Sequence, residues 1–175
     1  MWDYVVEERC ETHFLISSAG PNLGISDYRP TDIDGHFDRF EAWMRRIVED
    51  QDGIAEAELA GLAGFRDTVR ELAVSGLDAI RISPDYGYGR TTYCSPEAFR
   101  RAFLPGLRMM CDEVHAGGLL LHFHCDANMQ DLTEVMVEAG VDIYQSIEPH
   151  ELIARYKRDI GDHVTLWGGV ACGDL

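Results

Sequence analysis

Residues 95–128, SPEAFRRAFLPGLRMMCDEVHAGGLLLHFHCDAN, carry one complete structural unit. Ser95 is placed to cap a helix with Pro96 at its first position, Pro105 must kink or divide that helix, and the Gly117-Gly118 pair ends it. LLLHFH then reads as a short strand. The same order of amphipathic stretch, glycine and apolar run, often with an aspartate between, recurs along the chain. It occurs as IAEAELAGLAGFRDTVRELAVSG before LDAIRIS, MQDLTEVMVEAG before VDIYQSI, and HELIARYKRDIG before HVTLWGG. In the first of these, Phe65, Val69, Leu72 and Ala73 share one helical face and Gly76 supplies the stop.

Upstream, THFLISSAG reads as a further strand and HFDRFEAWMRRIVED as a helix burying Phe37, Phe40, Trp43, Met44 and Ile47. The turn-rich segment PNLGISDYRPTDIDG between them reads as a loop over one end of the sheet. Strands alternating with helices of this length pair in parallel, in either a doubly wound sheet or a (β/α) barrel. Periodicity leaves both open. About five strands are present where a closed barrel takes eight, and the chain stops just after one, so the sequence is expected to be incomplete at both ends.

Composition narrows the function. At 175 residues and 46% hydrophobic content the chain can bury a core. Thirty-one acidic against 15 basic residues give a net charge of -16, which repels a phosphate backbone and argues against a nucleic-acid partner. The N-terminus MWDYVVEERCETH has no basic-then-apolar signal pattern, and no apolar run is long enough to span a bilayer, so no membrane association and a cytoplasmic location are expected. Cys10, Cys94, Cys111, Cys125 and Cys172 are odd in number and scattered, which favours reduced thiols over a disulfide framework.

Polar residues gather at the C-terminal ends of the strands: Ser83-Pro84-Asp85, His124-Cys125-Asp126, Gln145 to Glu148, and Cys172. In parallel α/β folds ligands and catalytic groups sit at that edge. A period of two places His122, His124 and Asp126 on one face. Three readings stand: a metal site, with Cys125 or Cys172 adding a thiolate; acid–base chemistry by a carboxylate-oriented histidine; or, for His122, a satisfied polar residue in the interior. Asp85 lies in the loop DYGYGRTTYCSP, where Gly87 and Gly89 permit close approach of a ligand; the alternative is an Asx turn. Tyr86, Tyr88 and Tyr93 either cover a substrate or cover the scaffold. Arg81 faces the same way as Ser83 and Asp85 and is placed to meet an acidic substrate or Asp85 itself. The other histidines carry no partner pattern, and Met109-Met110 reads as core.

The ordered motifs GLDAIRISPDYGYG, SPEAFRRAFLPGLRMMCDEVHAGG, LHFHCDAN, EAGVDIYQSIEP and GDHVTLWGGV resemble the uroporphyrinogen decarboxylase superfamily, which includes cobalamin-linked methyltransferases acting on thiols. The resemblance implies a (β/α)8 TIM-type barrel, here a single partial domain over residues 1–175 with about five β/α units. In the methyltransferase branch the matching strand looks like His-x-Cys-Gly-Asn, whose histidine and cysteine hold zinc. His124 matches the histidine and Asn128 the asparagine, while Asp126 stands in the cysteine position and Ala127 in the glycine position. The decarboxylase branch implies a metal-free reaction in which arginines hold acetate side chains and an aspartate stabilises the pyrrole. Asp85 matches that aspartate, with Tyr86 and Gly87 alongside. A charge of -16 is a poor background for a polyanionic porphyrinogen.

The resemblance thus implies a methyltransferase-like enzyme, with porphyrinogen carboxy-lyase and non-catalytic or truncated member as alternatives. Its expected catalytic residues are Asp85, His124 and Asp126. Arg81, Tyr86, Gly87, Asn128 and Glu148 are expected to bind a small-molecule substrate, and His124 and Asp126 to ligate zinc. A corrinoid on a partner protein is the expected methyl source, and no cofactor is expected if the reaction is decarboxylation. Exposed parallel edges point to self-association as a homodimer.

Overall fold

The computed structural model describes residues 2–20, 36–84, 86–88, 91–147 and 153–170. In chain order the elements are α1 (Trp2–Arg9), β1 (Ile16–Ser18), α2 (His36–Glu49), α3 (Gln51–Gly61), α4 (Phe65–Ala73), β2 (Ala79–Ile82), β3 (Gly87–Tyr88), β4 (Thr91–Thr92), α5 (Pro96–Ala102), α6 (Leu104–Ala116), β5 (Leu120–His124), α7 (Thr133–Ala139), β6 (Ile143–Ile147), α8 (Ile153–Ile160) and β7 (Thr165–Gly168). A single 3₁₀ turn, Gln130–Leu132, precedes α7. Five strands form one parallel sheet in the order β1-β2-β5-β6-β7. The spatial order follows the chain without reversal. A doubly wound sheet reverses its strand order at a switch point, so the sequential order is that of a barrel wall.

Local chemistry sets the element ends. Ser95 caps α5, its Oγ accepting the Ala98 N–H at 3.3 Å, and the helix written across Pro105 divides at Phe103 into α5 and α6. The stretch 54–76 also divides, into α3 and α4, around Leu62 and Gly64, where two nearby glycines weaken the helix. Between β2 and α5 lies a short antiparallel pairing, Gly87 with Thr92 and Tyr88 with Thr91, that sequence periodicity does not announce.

Two of the repeated glycine–aspartate turns do the same job. Gly76 and Gly140 adopt φ values of +80° and +90°, which turn the chain out of α4 and α7. Two residues on, Asp78 accepts the Leu15 N–H at 2.7 Å and Asp142 accepts the Leu121 N–H at 2.7 Å. Each aspartate therefore ties the start of its own strand to the preceding strand of the sheet. His115 on α6 adds a 2.7 Å contact from Nε2 to Asp142.

One sheet face packs under the helices. Ile80, Ile82, Leu121, Phe123 and Tyr144 are at most 2% exposed and join Phe99, Phe103, Leu107 and Met110 in the core. Residues of the opposite parity, Arg81, His122, His124, Gln145 and Trp167, occupy the other face in neighbouring register. No helix among the described residues is long and apolar enough to cross a membrane.

The aspartate tie is testable. Asp142→Ala leaves the Leu121 N–H without its acceptor and is expected to lower unfolding free energy by roughly 1–3 kcal/mol, read from urea denaturation, whereas Asp142→Asn, which keeps an acceptor oxygen, should lose clearly less.

Candidate active site

The strand ends converge on His124. Its Nδ1 stands 2.5 Å from Gln145 Oε1 on β6, and its Nε2 stands 3.3 Å from Asp126 Oδ1. Both ring nitrogens thus face acceptor oxygens, an arrangement the doubly protonated imidazolium satisfies best. The Asp126 carboxylate accordingly raises the His124 pKa above its ordinary value, against the opposing effect of partial burial. The same pair lowers Asp126 to about 2, helped by a 2.7 Å hydrogen bond donated by Ser146 Oγ. Asp126 is itself 72% exposed on its side chain, so this carboxylate meets solvent while His124 sits behind it.

Ser146 is held in an unusual backbone state. Its φ is +98°, a region that side chains other than glycine rarely occupy, and it sits where the β6–β7 register shifts between Gln145 and Ile147. The bulge ends the regular ladder and presents the hydroxyl to Asp126 rather than continuing the strand alternation. Strained non-glycine backbone of this kind concentrates at functional sites.

Beside this pair lies a second group. His122 is 3% exposed, and among the described residues neither ring nitrogen has a hydrogen-bond partner. Its ring stacks on Trp167 of β7 at 5.3 Å between centroids and 17° between planes, while Trp167 itself is 52% exposed. Burial, with the Arg81 and His124 charges, pushes the His122 pKa down to about 4. Arg81, in register with His122 on β2, has a buried Nε with no partner among the described residues.

The structure brings together Arg81, His124 and Asp126 of the residues expected from sequence, and gives four others, Tyr86, Gly87, Asn128 and Cys125, different surroundings. Tyr86 does not line the mouth: it is 1% exposed, packed among Phe99, Phe103 and Phe123 on the helix side of the sheet. Gly87 leaves room for its own chain, not for a ligand. A Cβ there would lie 2.4 Å from the Thr91 carbonyl oxygen and 2.6 Å from Ala127 Cβ. Asn128 is engaged locally, its Oδ1 accepting from the Gln130 N–H at 3.0 Å and from the Tyr156 hydroxyl at 3.3 Å. Cys125 is wholly buried in the core and adds no thiolate to the mouth. Asp85, Glu148 and Cys172 lie outside the described residues. Gln145 and Ser146, part of a strand-end polar run in the sequence but not singled out there, and Trp167 join the site once the strands are set in register. The cue in sequence was position at a strand end, which fits many residues equally.

Residues 37–173 match the family model for uroporphyrinogen decarboxylase (URO-D). The chain belongs to the uroporphyrinogen decarboxylase family. Among solved structures, a methyltransferase from Methanosarcina mazei resembles it in fold, with a TM-score of 0.60 at 18% identity over 74% of this chain. The match spans 37% of that methyltransferase. No curated protein matches the chain.

Within the uroporphyrinogen decarboxylase family, the methyltransferase branch raises the question of zinc. His124 Nε2 and Asp126 Oδ1 are two donors, and a tetrahedral zinc takes four ligands. Among the described residues no group of three or more His, Cys, Asp or Glu side chains is disposed to hold a metal. Both donors are moreover engaged, with each other and with Gln145 and Ser146. The described residues thus supply two of the four ligands a tetrahedral zinc takes, held as a hydrogen-bonded pair.

The two histidines should titrate in opposite directions. His122 is neutral in the fold but protonates in the unfolded chain below about pH 6.5, so its contribution to stability is lost as pH falls through the window from about 6.5 to about 4. The raised His124 contributes stability below its unfolded pKa and loses it as pH rises through the folded value; lowered Asp126 contributes above its unfolded pKa and loses it toward about 2. Histidine-ring NMR across pH 3–9 should find His122 neutral until about 4 and His124 protonated above its ordinary range, with Asp126→Asn lowering His124 alone.

Proposed function

We propose that this chain carries the mouth of a methyltransferase-like enzyme of the uroporphyrinogen decarboxylase family, with His124 as the proton-handling group. The observation that carries the reading is the His124–Asp126 pair, held by Gln145 on one side and Ser146 on the other. A carboxylate that orients a histidine and raises its basicity is the arrangement general acid–base chemistry needs; both ring nitrogens are partnered, and the Nε2 side, which faces solvent-exposed Asp126, is where this reading has a proton pass. In methyl transfer the acceptor X–H gives its proton to neutral His124 as the X–CH3 bond forms from the acceptor's electron pair. The bond to the methyl donor breaks with its pair left on the donor. A corrinoid on a partner protein is the donor class this reading calls for, and Arg81 is the residue it assigns to orienting the small acceptor.

A second reading is supported by the same raised basicity. Imidazolium His124 is an acid, and unpartnered Arg81 suits a carboxylated substrate. In a carboxy-lyase the C–CO2 bond breaks with its pair on carbon, and that carbon takes a proton from His124.

The two readings have opposite pH limbs. Methyl transfer to a thiol should accelerate as pH rises through the His124 pKa, because the neutral ring is the base; decarboxylation should slow, because the imidazolium is the acid. The full-length protein is assayed for methylation of a thiol panel by methylcobalamin and for uroporphyrinogen decarboxylation. Whichever activity is present, Asp126→Asn is expected to reduce kcat/KM by about 10²-fold or more. Wild-type turnover in that variant would remove His124–Asp126 from the chemistry.

A further inference from the structure

The concave face holds polar groups that the His124–Asp126 pair leaves unused. Among the described residues, His122 is buried to 3% exposure, yet Nδ1 and Nε2 both lack a partner, and the Arg81 Nε beside it is buried and lacks one too. Buried polar groups are normally hydrogen-bonded, so three orphaned nitrogens on adjoining strands call for an explanation. Packing does not supply one. The ring of His122 is fixed by Trp167, stacked at 5.3 Å, and register sets Arg81 directly across from it on β2.

Nor does the protein neutralise this cation. Arg66, Arg100, Arg101 and Arg155 on the helices are all ion-paired with glutamates or aspartates. Arg81, in a chain of net charge -16, pairs with no acid among the described residues, and nearby Asp126 is engaged with His124 and Ser146. An unpaired guanidinium and a neutral imidazole beside it offer a planar donor fork and one further N–H, which match the two oxygens of a carboxylate. A dianionic phosphate would be only half neutralised by this set. The indole of Trp167, 52% exposed, offers an apolar surface at the same place.

We propose that Arg81, His122 and Trp167 form a carboxylate-binding subsite beside His124, with Arg81 and a His122 ring N–H holding the carboxylate and the indole covering the ligand's apolar part. This rests on the strand-end mouth being the substrate site, as proposed above, but not on which reaction occurs there. His122, which the zinc pattern and the acid–base pair both pass over, becomes a binding residue.

The test is titration of the full-length protein with acetate and succinate, followed by tryptophan fluorescence and calorimetry, with inorganic phosphate as the competing anion. Saturable carboxylate binding is expected. It should weaken roughly tenfold or more in both Arg81→Gln and His122→Phe, the latter keeping an aromatic ring against Trp167. The fluorescence response should disappear in Trp167→Phe, and Arg155→Gln on the helix side should bind as wild type. In the unmutated protein, acetate should shift the His122 ring-nitrogen resonance, a readout that stands even if a variant fails to fold. Absence of saturable binding, an unmoved His122 resonance, wild-type affinity in folded His122→Phe, or tighter binding of phosphate than of carboxylates would each overturn the subsite. Carboxylate binding that survives alongside full turnover of Asp126→Asn would count against the proposed chemistry and leave the subsite standing.

Discussion

Each central strand has one face pressed into a continuous apolar layer, and this constraint governs where every polar group in the sheet can go. Phe123 cannot leave the helix side without opening a cavity among Phe99, Phe103 and Met110, a change worth about 3–5 kcal/mol for a large aromatic. With Phe123 fixed, the two-residue period fixes His122 and His124 on the concave side. The register then brings Arg81 beside His122, and Gln145 beside His124. The site is a consequence of core packing carried across a parallel ladder. A slip of one residue would exchange the histidines for Phe123 and destroy both core and mouth together.

The fold was legible because its signals are local and repeated. Glycine, one apolar residue, aspartate, then a β-branched run appears twice, and each part has a short-range cause: Gly140 needs a left-handed turn, Val141 is buried, and Asp142 reaches the neighbouring N–H. His124 was legible for the same reason, since alternation within one strand is enough to place it on the concave face, while Asp126 lies two residues past the end of β5 and meets His124 from there. What was not legible depends on separate segments meeting. Ser146 carries no glycine signal for its φ of +98°, and its role exists only because Asp126 lies across from it. Trp167 becomes part of the site through a stack with a residue forty-five positions earlier in the sequence, His122.

Loop residues misled for a related reason. A glycine-punctuated loop after a strand is where ligands often approach, but Gly87 meets the same demand for space from Thr91, Thr92 and Ala127. Tyr86 has an apolar ring and a polar tip, and only the position of its backbone decides whether it covers a substrate or fills a core. Here the β3–β4 pairing turns it inward against Phe99 and Phe103. Asn128 shows the same ambiguity at a smaller scale. Its amide oxygen serves the Gln130 N–H two residues away, a local bond that any Asn at such a turn is disposed to make.

The two histidines of β5 show why residue type and strand position do not determine chemistry. They are two residues apart on one face, under the same net charge of -16, and their proton affinities diverge. The overall negative charge would favour the protonated form of both, but screening limits such distant effects to about 8–10 Å at ordinary salt. Immediate partners decide instead. His124 has a carboxylate and an amide oxygen at its two nitrogens and is driven toward imidazolium, while His122 has an indole on its face, no acceptor, and the Arg81 cation beside it. Environments that push neighbouring titratable groups apart divide labour between them. The carboxylate-backed ring, with its raised proton affinity, suits proton transfer, and the neutral ring with unspent hydrogen-bonding capacity suits recognition. One strand thereby presents two histidines of opposite disposition within a single turn of its alternation.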